Sequence, residues 1–169
     1  MTGERHPDPA RLPEGAFDGR SAFQQMVRDA LARAASEGWQ ELILSDPDFL
    51  DWPLGERAVA ASLQAWSARG RRITLLAGRW DAVVRHHARF VAWRRTWSDI
   101  VEARTLRGSE AGDLPSALWT PGWMMQRHDL ERCSGRASHD AVRRHALREE
   151  LAESQRGAAP GFPATTLGL

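Results

Sequence analysis

Gly70-Arg71-Arg72-Ile73-Thr74-Leu75-Leu76-Ala77-Gly78 is a turn, a short apolar run and a second turn, and Arg79 to Trp97 follows as one long amphipathic segment. An apolar run this short, closed by glycines, suits a strand buried on both faces. In the segment after it, Trp80, Val83, Val84, His87, Phe90, Val91 and Arg94 recur at helical spacing, so a helix is expected over 80–97 with these residues on its inner face. Strand followed by helix is the unit that α/β folds repeat.

The same unit extends in both directions. Upstream, Ser21-Ala22-Phe23-Gln24 has the capping-box pattern, and Phe23, Met26, Val27, Ala30, Leu31 and Ala34 continue a helix over 21–37 that Gly38 ends. Glu41-Leu42-Ile43-Leu44-Ser45 reads as a second buried strand, Asp46-Pro47-Asp48 as a turn, and 55–68 as a helix carrying Val59, Leu63 and Trp66 inward. Downstream, Ile100 to Leu106 alternates like a strand and Gly108 to Asp113 reads as a loop. Ser116–Trp119 and Trp123–Gln126 read as a hairpin turning at Pro121-Gly122. Arg127 to Arg136 shows no regular pattern, and Ser138 is placed to cap a last helix over 139–156 with a thin apolar face. The expected architecture is α/β, with a mixed, partly parallel sheet of about five strands flanked by helices. Right-handed crossover makes strands 41–45 and 72–77 parallel. Residues 1–16 are expected as a flexible leader, 17–157 as a single α/β domain and 158–169 as a C-terminal tail.

Composition narrows the chemistry. The chain has 169 residues, a net charge of +1, one cysteine and no tyrosine. It also has no lysine and no asparagine, so all 23 basic residues are arginines, as a GC-rich genome would produce. Without lysine there is no Schiff base, P-loop lysine or lysine general base. One cysteine, Cys133, excludes an internal disulfide and an all-cysteine metal site. No apolar run approaches the ~18 residues of a membrane span. Residues 1–14 carry no apolar core of a secretory signal, so a cytoplasmic protein without membrane contact is expected.

The block from 19 to 155 also resembles a known family. The residues that carry the likeness are Phe17-Asp18-Gly19-Arg20, Leu42-Ile43-Leu44-Ser45, Gly70-Arg71-Arg72-Ile73-Thr74-Leu75-Leu76, His87-Ala88-Arg89-Phe90 and Phe162-Pro163-Ala164-Thr165-Thr166-Leu167-Gly168-Leu169. They are similar to a single repeat of the phospholipase-D-like fold, within an uncharacterised bacterial family that also occurs after GNAT-type acetyltransferase domains. Active members of the wider fold use a His-x-Lys pair followed by an aspartate. Here that motif would fall on Leu114 to Gln126, which holds neither histidine nor lysine. The resemblance therefore implies the fold without the phosphodiesterase chemistry, and assigns no catalytic residue.

Several residues remain as candidates. Asp46 follows the first strand of the pair and Arg79 the second, at the carboxyl ends where open α/β sheets bind ligands. His87 and Arg89 lie on the helix beyond. These four make a speculative site for a phosphorylated or acidic small molecule, against the plainer reading of His87 as a partly buried histidine with one backbone or carboxylate partner. No metal site is expected. His86 and His87 are adjacent and point about 100° apart, and His139 and His145 miss the i, i+4 spacing of helical chelators. Arg85, Arg89, Arg94, Arg95 and Arg104 near Trp93 and Trp97 resemble a single-strand nucleic-acid surface. With a net charge of only +1, nucleic acid is nevertheless not expected as a partner. The leading reading is a non-catalytic interaction or regulatory domain, more in keeping with no enzyme than with one. It has no cofactor and pairs with a second copy or another protein. A small enzyme or ligand-binding protein is the first alternative, and nucleic-acid binding through arginine and tryptophan the second.

Overall fold

The computed structural model describes residues 11–162, with Glu110 described by its backbone only. In chain order the elements are β1 (Gly15–Phe17), α1 (Arg20–Glu37), β2 (Glu41–Ser45), α2 (Arg57–Ser67), β3 (Arg72–Ala77), α3 (Asp81–His86), α4 (Ala88–Thr96), β4 (Val101–Thr105), a 3₁₀ turn (Gly108–Asp113), β5 (Ser116–Trp119), β6 (Met124–Asp129), β7 (Ser134–Ser138), α5 (Ala141–Arg156) and β8 (Ala159–Pro160). The strands form one mixed sheet in the order β1-β7-β6-β5-β2-β3-β4-β8. Strands β2, β3 and β4 are parallel, with Leu42 opposite Ile73 and Ile73 opposite Val101, and every other pairing is antiparallel.

The alternation along each central strand divides the core in two. Leu42, Leu44, Ile73, Leu75 and Ala103 pack with Phe23, Leu31, Leu63 and Phe90 on the side of α1, α2 and α4. Ile43, Leu76, Ala117, Trp119 and Met124 point to the other side and meet Leu147 and Leu151 of α5. Helices thus lie on both faces, but α5 alone serves the second, and it packs on β5 and β6. Beyond it, the strip of sheet formed by β7 and the end of β6 stays open.

Four expectations change. The sheet has eight strands, not about five. The segment 127–136, expected to be irregular, holds the end of β6 and the start of β7; Ser134-Gly135-Arg136-Ala137-Ser138 carries no apolar run, and pairing with β6 on one side and β1 on the other makes it a strand. The helix expected over 80–97 breaks at His87, whose backbone leaves the helical region (φ −122, ψ 54). There Gly55 packs so closely that a Cβ on it would lie 2.6 Å from the His86 carbonyl oxygen, and the His87 ring reaches across to the Phe49 carbonyl at 2.8 Å. The helix starts also differ. Gly19 (φ 101), not Ser21, precedes α1, and Asp140, not Ser138, caps α5 by accepting from the Arg143 N–H at 3.1 Å.

The two ends of the described chain are tied down. Leu12 is buried, the Pro13 carbonyl accepts from the Trp123 indole at 2.9 Å, and Glu14 accepts from the Ser138 hydroxyl and the His139 N–H at 3.0 and 2.6 Å. The His139 N–H bond, opposed by partial desolvation and reinforced by Ser138, holds the Glu14 carboxyl below the usual glutamate range. A depressed carboxylate contributes stability that is fully present above its unfolded pKa and is lost as pH falls through the lower folded value. Glu14→Gln is therefore expected to lower the urea midpoint at neutral pH and to match the parent at the acid end. An equal deficit at every pH would refute this. At the other end, β8 pairs with β4, and Phe162 stacks between Trp80 and Phe90 at centroid distances of 4.8 and 6.0 Å. The leader expected over 1–16 and the tail over 158–169 lie partly outside the described residues. No helix among the described residues is long and apolar enough to cross a membrane.

Candidate functional site

Of the four residues expected to face a ligand, two are spent inside the protein. Asp46 is buried. Its Oδ2 accepts from the Asp48 and Phe49 N–H groups at 3.1 and 2.8 Å, and its Oδ1 pairs with Arg127 at 2.7 Å. Arg127 is also buried. It pairs with Asp51 at 3.0 Å, donates to the Ser116 hydroxyl at 2.8 Å and to Cys133 Sγ at 3.3 Å, and lies 4.4 Å over the Phe23 ring. Desolvation works against its charge, and Asp46, Asp51 and Cys133 more than offset this, so its pKa is raised. This cluster is a support of the fold, built where β2 and β6 end and β5 begins. His87 is buried, with Nε2 donating to the Phe49 carbonyl at 2.8 Å and Nδ1 without a partner. Asp46 and His87 are thus brought together only through the 46–49 loop, which each grips at a different point. Arg89 is exposed and donates to the Gly55 carbonyl at 2.9 Å. Arg79 opens onto a cleft of about 370 Å³ that it shares with Asp48, Asp81, Arg85 and His86. No group of three metal-ligating side chains occurs among the described residues.

The arginine–tryptophan surface expected around 85–104 does not form. Trp93 is buried and donates to the Ser67 hydroxyl at 2.8 Å, and Trp97 is half-buried and donates to Gln64. Arg94 is buried under Phe162, its Nε on the Phe162 carbonyl at 3.1 Å, and burial lowers its pKa. Arg104 pairs with Glu102 at 2.8 Å. Trp119 and Trp123, which flank the hairpin turn, are both buried.

Positive charge without carboxylate partners gathers elsewhere, in a groove between α5 and the β6–β7 strip. Met124, Gln126 and His128 alternate onto one face of β6, and Arg136 stands opposite Gln126 on β7. Above them α5 sets Arg143, Leu147 and Glu150 along its near side, one helical turn apart, and the open groove between them has a volume of about 190 Å³. His128, Arg136 and Arg143 are exposed, and among the described residues neither arginine has a carboxylate within ion-pair distance. Helix α5 is polarised. Arg143, Arg144, His145 and Arg148 occupy its first half, and Glu149, Glu150 and Glu153 its second, where Arg156 pairs with Glu153. Arg144 donates to the Pro121 carbonyl at 2.8 Å, and Arg148 pairs with Glu41 at 2.6 Å while covering the Trp119 ring. The helix N-terminus is closed by the Asp140 carboxylate, so an anion entering the groove meets side chains rather than free amides.

Neither Arg127 nor Arg136 stands out in the linear reading. The signal lies in parity: Met125 and Arg127 share the inner face of β6, whereas Met124, Gln126 and His128 share the outer. Arg127, in step with Met125, is directed inward despite its charge; the register shift between Arg127 and Asp129 ends this parity, and Asp129 is exposed.

No family model and no curated protein matches the chain. Among solved structures it is similar to TrmBL2, an archaeal chromatin protein described as showing a novel mode of DNA binding, with a TM-score of 0.65 and 14% identity over 95% of this chain and 57% of that one. The likeness shows the fold. The chain thus spans 57% of the length of TrmBL2. The expectation against a nucleic-acid partner is corrected here. It rested on the net charge of +1, whereas this fold occurs in a chromatin protein that binds DNA. Net charge is an average over the surface, and phosphates respond to local charge within a Debye length of about 8–10 Å.

Proposed function

We propose that this chain is a non-catalytic α/β module that binds nucleic acid, holding phosphates with Arg136 and Arg143 in the groove between α5 and the β6–β7 strip. The observation that carries this is the groove itself, in which both guanidiniums are exposed and neither is neutralised by a carboxylate among the described residues. TrmBL2, a protein of like fold that binds DNA, supports the same reading. The relation to the phospholipase-D-like fold is part of the proposal. The segment where that family's His-x-Lys pair would fall is the β5–β6 hairpin, which offers the partner a surface rather than a nucleophile.

The test is fluorescence anisotropy of a short labelled duplex with the full chain. Each phosphate contact adds close to one unit to the salt slope, so removing one arginine is expected to weaken binding roughly five- to tenfold near 0.1 M salt. The Arg136→Ala/Arg143→Ala double variant should lose both contacts. Glu150 lines the same groove with the opposite charge, and Glu150→Gln is expected to tighten binding. Both substitutions in the double variant are at exposed side chains, so circular dichroism should match the parent. Unchanged affinity in a folded double variant would overturn the assignment.

A further inference from the structure

Resting on that reading, we infer that the partner is a double-stranded nucleic acid held by its phosphates, and not a single strand held by base stacking. Proteins that bind single strands combine a basic track with exposed aromatic faces on which successive bases stack. This chain has eight tryptophans, five phenylalanines and no tyrosine. All thirteen rings fall within the described residues, and every one is buried or half-buried. The half-buried ones are committed as well. Trp39, Trp80 and Trp97 direct their indole N–H groups to Glu37, Thr105 and Gln64, and Phe17 stacks on Phe23. The groove holds a single ring, the imidazole of His128.

Such a surface supplies cations without stacking platforms. A flexible strand must be ordered in order to bind, and phosphate contacts from two arginines do little to compensate that loss. A duplex presents its phosphates on a rigid path with the bases already stacked inside, so the same arginines meet a preorganised array. The groove is built from two sides. Its two arginines come from different elements, β7 and α5, and Glu150 bounds one end, which favours one direction of approach.

The experiment titrates the full chain into labelled duplex DNA, one of its strands alone, and double-stranded RNA, following both label anisotropy and intrinsic tryptophan fluorescence. The expected result is binding to the DNA duplex at least tenfold tighter than to the single strand, with tryptophan emission unchanged because no indole meets a base. Duplex RNA bound more tightly than the single strand also supports the inference, since it shares the rigid phosphate array. A single strand bound as tightly as either duplex, or quenched tryptophan emission on binding, would overturn this inference and leave the nucleic-acid reading standing. No binding to any of the three removes the nucleic-acid reading and this inference with it. The Arg136→Ala/Arg143→Ala variant supplies an independent check. Its salt slope on duplex DNA should be smaller by about 1.8, the value for two phosphate contacts on B-form DNA, and an unchanged slope would place the duplex on another surface.

Discussion

Arg127→Met is expected to destabilise the protein by about 3–5 kcal/mol, seen as a large fall in the urea midpoint. Arg127 and Asp46 are 2% and 1% exposed at their side chains, so removing the cation leaves a carboxylate in the interior with no counter-charge. The loss reaches further than the pair. The same guanidinium spans Asp51, Ser116 and Cys133 and covers Phe23, and Asp46 also holds the turn at Asp48 and Phe49. Methionine keeps much of the volume over Phe23, so the effect reports the charge more than a cavity. Arg127→Met/Asp46→Asn keeps an oxygen for the Phe49 N–H and removes the uncompensated charge, and it should recover a good part of the loss. A double variant as weak as Arg127→Met alone would show that the penalty is steric.

Gly135→Ala is expected to cost about 3 kcal/mol or more, at or beyond the upper end for overpacking. Gly135 sits opposite Arg127 in the β6–β7 ladder, and a Cβ there would lie 1.9 Å from the Gln126 carbonyl oxygen and 2.8 Å from the Arg127 Cα. Both are backbone atoms of the facing strand, so no side chain can swing aside to make room. Relief requires moving β7 away from β6, which shifts Arg136 relative to Arg143 and opens the groove. Thermal unfolding should show the loss, and Gly122→Ala in the hairpin turn, where a Cβ meets nothing within 4 Å, serves as the comparison. A Gly135→Ala protein that melts with Gly122→Ala would remove the close approach from the account.

These two residues also show where linear reading stops. The Gly70–Trp97 stretch is legible because its information is local: a short apolar run flanked by glycines is a buried strand, and helical spacing follows it. Strands β2 and β3 have the expected bounds, 41–45 and 72–77, and the hairpin turns at Pro121-Gly122 as expected. The plainer reading of His87, a buried histidine with a backbone partner, agrees with its bond to the Phe49 carbonyl. The break in the helix at that residue was not legible, because its cause, Gly55 packed against the His86 carbonyl, lies some thirty positions away.

The candidate site depends still more on distant pairings. Arg127 reads as one arginine among 23, and its partners Asp46 and Asp51 lie 81 and 76 positions away. Strands β1, β7 and β8 have too little apolar pattern to announce themselves; each becomes a strand only because a neighbour presents unpaired backbone groups to it. The chain's own pattern was therefore enough for the α/β class and the parallel core, since hydrophobic periodicity selects secondary structure locally. Which arginines are buried, which are neutralised and which line the α5 groove was decided by strand order and side-chain parity, because charge acts through distances in space that the tertiary fold alone establishes.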